Sequence, residues 1–251
     1  MSRILSIVGK GEGCGLAPTE GEVWGIGDYF MHRYCTAAWE MHDYTWTVAQ
    51  CLRHKIEMYV NMPASIRKDR TAEQIYGMAL WQFHNFRIKA EAINDFKIPL
   101  VTVSEYNESN PVQGIVVPTS VQYPLFRVVT EVLKGEYYLV GTLNYALAYA
   151  IYTGKYKVIN IYGCKLISGE EWAYQRPNAE MMIGIAMGRG IEVNVIGSDD
   201  GLLRPPRGIL YGYIDTYPDY VAEIGYSTME ETVIRMLEEK SRGLSHESGG
   251  N

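Results

Sequence analysis

The stretch ILSIVGKGEGCGLAPTEGEVWGIGDYF, residues 4–30, reads as an apolar strand, a loop with glycine at every second position from Gly9 to Gly15, and a second apolar strand ending near Asp28. A glycine-rich turn straight after a first strand is where a doubly wound sheet places an anion, because backbone N–H groups there can converge without side-chain obstruction. Asp28 stands 19 residues past Gly9, where the ribose-binding acid of a dinucleotide fold would sit. The seven residues between Gly15 and Val23 include Pro18, however, and leave no room for the crossover helix of that fold. No G-K-[ST] follows the glycines, so a Walker loop is excluded.

Working outward, strands are expected at about 3–8, 22–27 and 36–41, helices over 45–60 and 71–94, and a strand over 98–106. In the second helix Ile75, Ala79, Phe83, Phe86, Ala90 and Ile93 form one apolar face, and Arg87 and Glu91 form an i, i+4 pair. Residues 107–124 read as a long, proline-punctuated connection of the kind that serves as a mobile active-site loop. A helix over 142–153, a strand KVINIYG, a helix from Asn178 with that residue as its N-cap, and a strand IEVNVIG follow. A last helix, with Ser227 and Glu230 spaced as a capping box, precedes a tail at 244–251 that is expected to be disordered. Strands interleaved with helices give the fold class: α/β, Rossmann-like and doubly wound, with a mainly parallel sheet and a helical insertion at about 45–97 in one domain over 1–243.

The uncharged run at 137–154 borders on membrane-spanning length, but Asn144, the threonines and the tyrosines make it a buried helix, and no membrane partner is expected. No export signal is evident, and the four scattered cysteines form no metal-like or C-x-x-C spacing, which points to reduced thiols in the cytoplasm. The net charge of −6 argues against the whole surface binding nucleic acid. Its distribution is uneven: residues 53–97 hold eight Lys and Arg against five Asp and Glu, a local +3, leaving −9 elsewhere. Tyr59, Trp81, His84 and Phe86 lie among those cations, a composition shared by nucleic-acid faces and by ordinary solvated helices.

Three segments carry a family resemblance. IVGKGEGCGLAP with EVWGIGDYF resembles the opening of bacterial lipooligosaccharide sialyltransferases and of the related motility-accessory and phage proteins, and GTLNYALAYAIYTGKYKVINIYGCKL (141–166) resembles their small-residue helix and following strand. EWAYQRPNAEMMIGIAMGRGIEV (171–193), with WEMHDY (39–44), is similar to a phage-encoded subgroup associated with DNA hypermodification. The resemblance implies a virus-encoded, nucleotide-sugar-dependent glycosyltransferase working in the host cytoplasm, with a UDP-sugar as the first donor to test. Its acceptor would be DNA carrying a hydroxymethylated base such as 5-hydroxymethylcytosine. It also implies a donor site at Gly9, Lys10, Gly11 and Gly13, at Asp28, and at Thr142 and Asn144. Two departures matter. Glu12 and Gly13 stand where the family has Pro-Ser, and Gly163, Cys164 and Lys165 stand where it ends a strand in Gly-x-Asp, so Lys165 would pair directly with phosphate.

Glycosyl transfer needs a base for the acceptor hydroxyl and donors for the leaving phosphate. The run EMHD supplies Glu40, His42 and Asp43 at a strand end; in an extended segment Glu40 and His42 share a side, with His42 as base and Glu40 orienting it. Tyr174, Gln175, Arg176 and Glu180 are candidates for acceptor or phosphate contacts, Arg176 by neutralising charge. No D-x-D pair occurs, SDDG at 198–201 reads as a turn, and no metal is predicted. Homo-oligomerisation stays open. The competing readings are transfer of a sialyl or other nucleotide-activated group to a glycan or small molecule, and a nucleotide-binding module without chemistry.

Overall fold

The computed structural model describes residues 3–61, 69–167, 174–197 and 201–204. The chain divides into two compact units at Leu202, and the sheet belongs to the first, Met1–Leu202. The expected helix with Ser227 and Glu230, the tail at 244–251 and most of SDDG lie outside the described residues.

Seven strands form one sheet: β1 Ile4–Val8, β2 Glu22–Ile26, β3 Ala37–Trp39, β4 Leu100–Thr102, β5 Ser120–Gln122, β6 Val158–Tyr162 and β7 Glu192–Ile196. Their order is β5-β4-β3-β2-β1-β6-β7, and every pair is parallel. The chain therefore builds outward from β1 to one edge, then returns to its other side at β6. That reversal is the topological switch point of a doubly wound fold, with ligand sites expected at the C-terminal strand ends beside it. β1 shows the double burial of a central parallel strand: all of Leu5, Ser6, Ile7 and Val8 are buried.

Helices cover both faces. Leu5, Ile7, Trp24, Ala37 and Trp39 point to α3 (Leu125–Val132), α4 (Thr142–Thr153) and α5 (Arg176–Gly188). Val8, Val23, Ala38 and Leu100 point to α1 (Val48–Asn61) and α2 (Ala72–Phe96). The first core is centred on aromatic rings, with Trp24 and Trp39 4.7 Å apart and Tyr149 against both. α4 is the uncharged run; it buries Leu143, Ala146, Leu147, Ala148, Ala150 and Ile151 and stops at Gly154, whose φ of 62° closes the helix. No described helix is long and apolar enough to cross a membrane.

As expected from the short glycine–proline link, β1 and β2 are joined without an α-helix. Only a 3-10 turn at Cys14–Leu16 intervenes, and another at Tyr29–Met31 joins β2 to β3. α2 bears out its expected stripe: Ala79, Phe86, Ala90 and Ile93 are buried and Arg87 Nε meets Glu91 at 3.0 Å. The helix starts on a capping box between Thr71 and Gln74.

Three expectations are corrected. The strand at 98–106 is paired only over β4, because the chain turns to bring Tyr106 against Val117 in an antiparallel bridge. The 107–124 connection is no open loop: it folds back through a second bridge, Val112 to Ile115, buries Val112 and Val117, and ends in β5. α5 begins at Arg176, so Asn178 lies inside its first turn instead of capping it.

Candidate active site

The glycine loop comes first. Gly9 N–H donates to the Tyr162 carbonyl and Gly11 N–H to that of Gly163, each at 2.8 Å. A Cβ on Gly9 would stand 2.6 Å from the Gly163 oxygen, and one on Gly11 2.8 Å from the same atom. At Gly13, φ is +83° and a Cβ would stand 2.5 Å from the Gly197 oxygen. These residues are glycine because the loop after β1 lies backbone to backbone against the turns after β6 and β7. Expected as a bare anion cradle, the loop instead commits the N–H groups of Gly9 and Gly11 to the protein itself.

A pair of substitutions separates this contact from backbone strain alone. Gly13→Ala is expected to cost about 3 kcal/mol, from left-handed strain plus overpacking. Gly27→Ala, at φ +67° with nothing within 4 Å of the added carbon, should cost about 1 kcal/mol. Urea unfolding of both variants reads the difference; equal losses would remove the interlock.

Cations expected to meet phosphate are already compensated. Lys10 Nζ lies 2.8 Å from Asp28 Oδ1 and Lys165 Nζ 2.5 Å from Glu12 Oε2. Asp28 thus meets Lys10 directly, and Glu12, one of the departures from the family's Pro-Ser pair, is paired with the cation on the opposite loop. An entering diphosphate would have to draw both lysines from their carboxylates.

At the end of β3 the geometry is tighter. Glu40 is 3% exposed. Its Oε1 lies 2.5 Å from His42 Nδ1 and accepts the His42 backbone N–H at 3.3 Å, while its Oε2 accepts from Lys89 Nζ at 2.8 Å. Burial pushes this carboxyl up, but the His42 hydrogen bond and the Lys89 charge outweigh it and hold the group down at about 2. An ionised Glu40 makes Nδ1 the protonated nitrogen of a neutral His42, which leaves the lone pair on Nε2. The His42 side chain is 45% exposed, so the pair is buried on one side and open on the other.

Around it, Tyr44 stacks between Phe86 (4.9 Å) and Tyr106 (5.6 Å), and Lys89 Nζ stands 5.8 Å from the Tyr44 ring centre. The Tyr106 hydroxyl accepts the Tyr44 backbone N–H at 2.9 Å and meets the Thr102 hydroxyl at 3.0 Å. Burial pushes the Tyr106 phenol up to about 12, so it stays a neutral hydrogen-bonding group. His54 of α1 lies 5.8 Å from the His42 ring and 5.2 Å from that of Trp46. Its pKa is lowered, by burial first and then by Lys55 and His42.

Asp43 does not join the pair. Its Oδ1 accepts the Thr45 N–H at 2.9 Å and the Thr45 hydroxyl at 2.7 Å, a local turn that starts the approach to α1. The one Asp43 oxygen with these bonds is thus engaged in that turn.

The remaining candidates gather at the starts of α4 and α5, on the opposite face of the sheet. Asn144 donates to the carbonyls of Val140 and Gln175, the latter at 3.1 Å, and Asn178 donates to Tyr138 O at 2.9 Å while accepting Val140 N–H at 2.8 Å. A Cβ on Gly141 would lie 2.5 Å from Gln175 Oε1. Asn144 and Gln175, expected at donor and acceptor, thus tie the two helix starts together. Arg176 is buried with its Nε 2.8 Å from Glu180 Oε1, so the cation expected on phosphate carries a counter-charge from one turn away. Thr142 opens α4, and Tyr174 is half-exposed.

Sequence reasoning missed Lys89, His54, Tyr44 and Tyr106. Lys89 had a signal: it falls between Phe86 and Ile93 on the apolar stripe of α2, where an unpaired ammonium is costly and a buried carboxylate is implied. Among the described residues no group of three His, Cys, Asp or Glu is placed to hold a metal ion. Compared with known protein families, with characterised proteins and with solved structures, the chain gives no match.

Proposed function

We propose that the protein is a glycosyltransferase that moves a sugar from a nucleotide-sugar donor to a hydroxyl on a modified DNA base, such as 5-hydroxymethylcytosine. The observation that carries the reading is the buried Glu40 carboxylate shared by His42 and Lys89 at the C-terminal edge of the sheet. His42 Nε2 takes the acceptor proton, Glu40 stabilises the imidazolium that results, and Lys89 keeps Glu40 ionised throughout. The acceptor oxygen forms its bond to the anomeric carbon as the bond from that carbon to the donor phosphate breaks. The nucleotide leaves with the electron pair, and Lys10 and Lys165, drawn from Asp28 and Glu12, would receive its charge. Support for the DNA acceptor comes from the +3 block that supplies Lys89 and His54 to this site.

The test incubates the protein with a panel of nucleotide sugars and DNA containing cytosine or 5-hydroxymethylcytosine, followed by digestion and mass measurement of the nucleosides. A hexose- or pentose-sized gain on the modified base alone is expected. Transfer to a glycan or small hydroxyl compound, with none to DNA, would move the reading to the small-acceptor transferase.

A further inference from the structure

The helical hairpin of α1 and α2 carries a second feature that the catalytic geometry does not use. A groove of about 600 Å³ opens along it, lined among others by Lys55, Asp69, Arg70, Gly77, Met78 and Trp81. Gly77, Met78 and Trp81 recur at helical spacing, so they form one stripe on α2. Trp81 is 66% exposed, an unusual position for the largest apolar side chain. One turn before it, Gly77 has open space where a Cβ would be, so no side chain stands over the groove at that point. Arg70 is held at the rim, with Nη1 2.9 Å from Met78 Sδ and its backbone N–H donating to the Tyr59 hydroxyl at 3.4 Å. Two cations therefore face one carboxylate, Asp69, around an accessible indole.

We propose that this groove binds single-stranded DNA, with one base stacked on Trp81 and neighbouring phosphates on Lys55 and Arg70. Every base offers a π-face, so an exposed indole between cations suits a strand without requiring a sequence. Charge complementarity selects this occupant: the groove sets Lys55 and Arg70 against Asp69, and the hairpin lies in a block that keeps +2 of its +3 once Lys89 is set against Glu40, in a chain that is −6 overall. The same hairpin carries Lys89 to Glu40 and His54 to His42, so a strand in the groove follows the element that builds the site. The inference rests on the reading that the acceptor is DNA.

The experiment measures anisotropy of a labelled oligothymidylate, with neither modified base nor nucleotide sugar present, so binding is read apart from catalysis. Trp81→Ala is expected to weaken affinity roughly tenfold. Lys55→Gln with Arg70→Gln should lower the slope of log affinity against log salt by about 1.4, two phosphate contacts' worth. Transfer to the free nucleoside 5-hydroxymethyldeoxycytidine should be unchanged in Trp81→Ala. Trp81-dependent binding with no transfer to any acceptor would leave the groove standing and remove the proposed function. Unchanged affinity in Trp81→Ala, or no binding by the unmodified protein, overturns the groove. So does a change from dimer to monomer in Trp81→Ala at constant DNA affinity, which would make the stripe a contact between two copies.

Discussion

Replacing His42 with alanine is expected to lower transfer by a factor of about 10² to 10⁴, the usual worth of a positioned general base. The fold should survive, because the ring is nearly half exposed and its one strong bond goes to Glu40. Loss of the ring also removes the largest of the effects holding the Glu40 carboxyl down, but leaves Lys89 in contact with it. Steady-state transfer, measured alongside thermal unfolding, distinguishes loss of the base from loss of structure. A folded His42→Ala protein within threefold of full activity would assign the proton to another group. His54 is the nearest second imidazole, and a His54→Gln variant would then be the next to measure.

The second large effect is on stability. Lys89→Met removes the cation from a buried pair and leaves the Glu40 carboxylate facing an apolar thioether, at an expected cost of about 3 to 5 kcal/mol. Glu40→Gln added to Lys89→Met should recover part of that loss, because the orphan charge is gone. The sign of the pH dependence follows from Glu40. Its carboxyl is lowered from an ordinary 4.5 to about 2 in the folded chain, so its stabilisation is fully present above 4.5 and fades as pH falls through about 2. Without Lys89 the upward push of burial meets only His42, the folded-state value rises, and acid destabilisation begins at higher pH. Urea unfolding at pH 7 and pH 4 reads both effects. A Lys89→Met protein within 1 kcal/mol of the unmodified one at pH 7 would show that Glu40 does not depend on this partner.

What could be read in advance follows the range of the interactions involved. The glycine loop, the helix-free link to β2, the α2 stripe and α4 all rest on spacing within one segment, and each is present in the structure. Glu40 and His42 were legible for the same reason: they stand two residues apart just past β3, and one carboxylate oxygen reaches both the ring and the backbone N–H of His42. The purpose of Gly9, Gly11 and Gly13 was not legible, because it is set by Gly163 and Gly197, far along the chain. The same holds for Asn178: its residue type fits helix capping, but its partners Tyr138 and Val140 lie far back along the chain, just before α4. Arg176 is the opposite case, since Glu180 stands one turn along its own helix and the i, i+4 spacing was there to be read. α3 went unread because it is only eight residues long, with Pro124 where a capping side chain would stand.

The strand order has a consequence for synthesis on the ribosome. β1 leaves the exit tunnel first and can pair with β2 at once, but its other neighbour, β6, aligns Leu5 with Ile159 and is translated much later. The glycine loop waits longer still, since Gly13 has its counterpart in Gly197 after β7. Until β6 arrives the edge of β1 is an unpaired template, and until β7 follows the loop is closed only at Gly9 and Gly11, on Tyr162 and Gly163. Glu40, His42 and Lys89 all lie in the first hundred residues, so the proposed base is assembled early, whereas the loop at the switch point closes only when the last strand of the sheet arrives. A nascent chain stalled before β7 would hold its acid–base pair without the closed loop beside it.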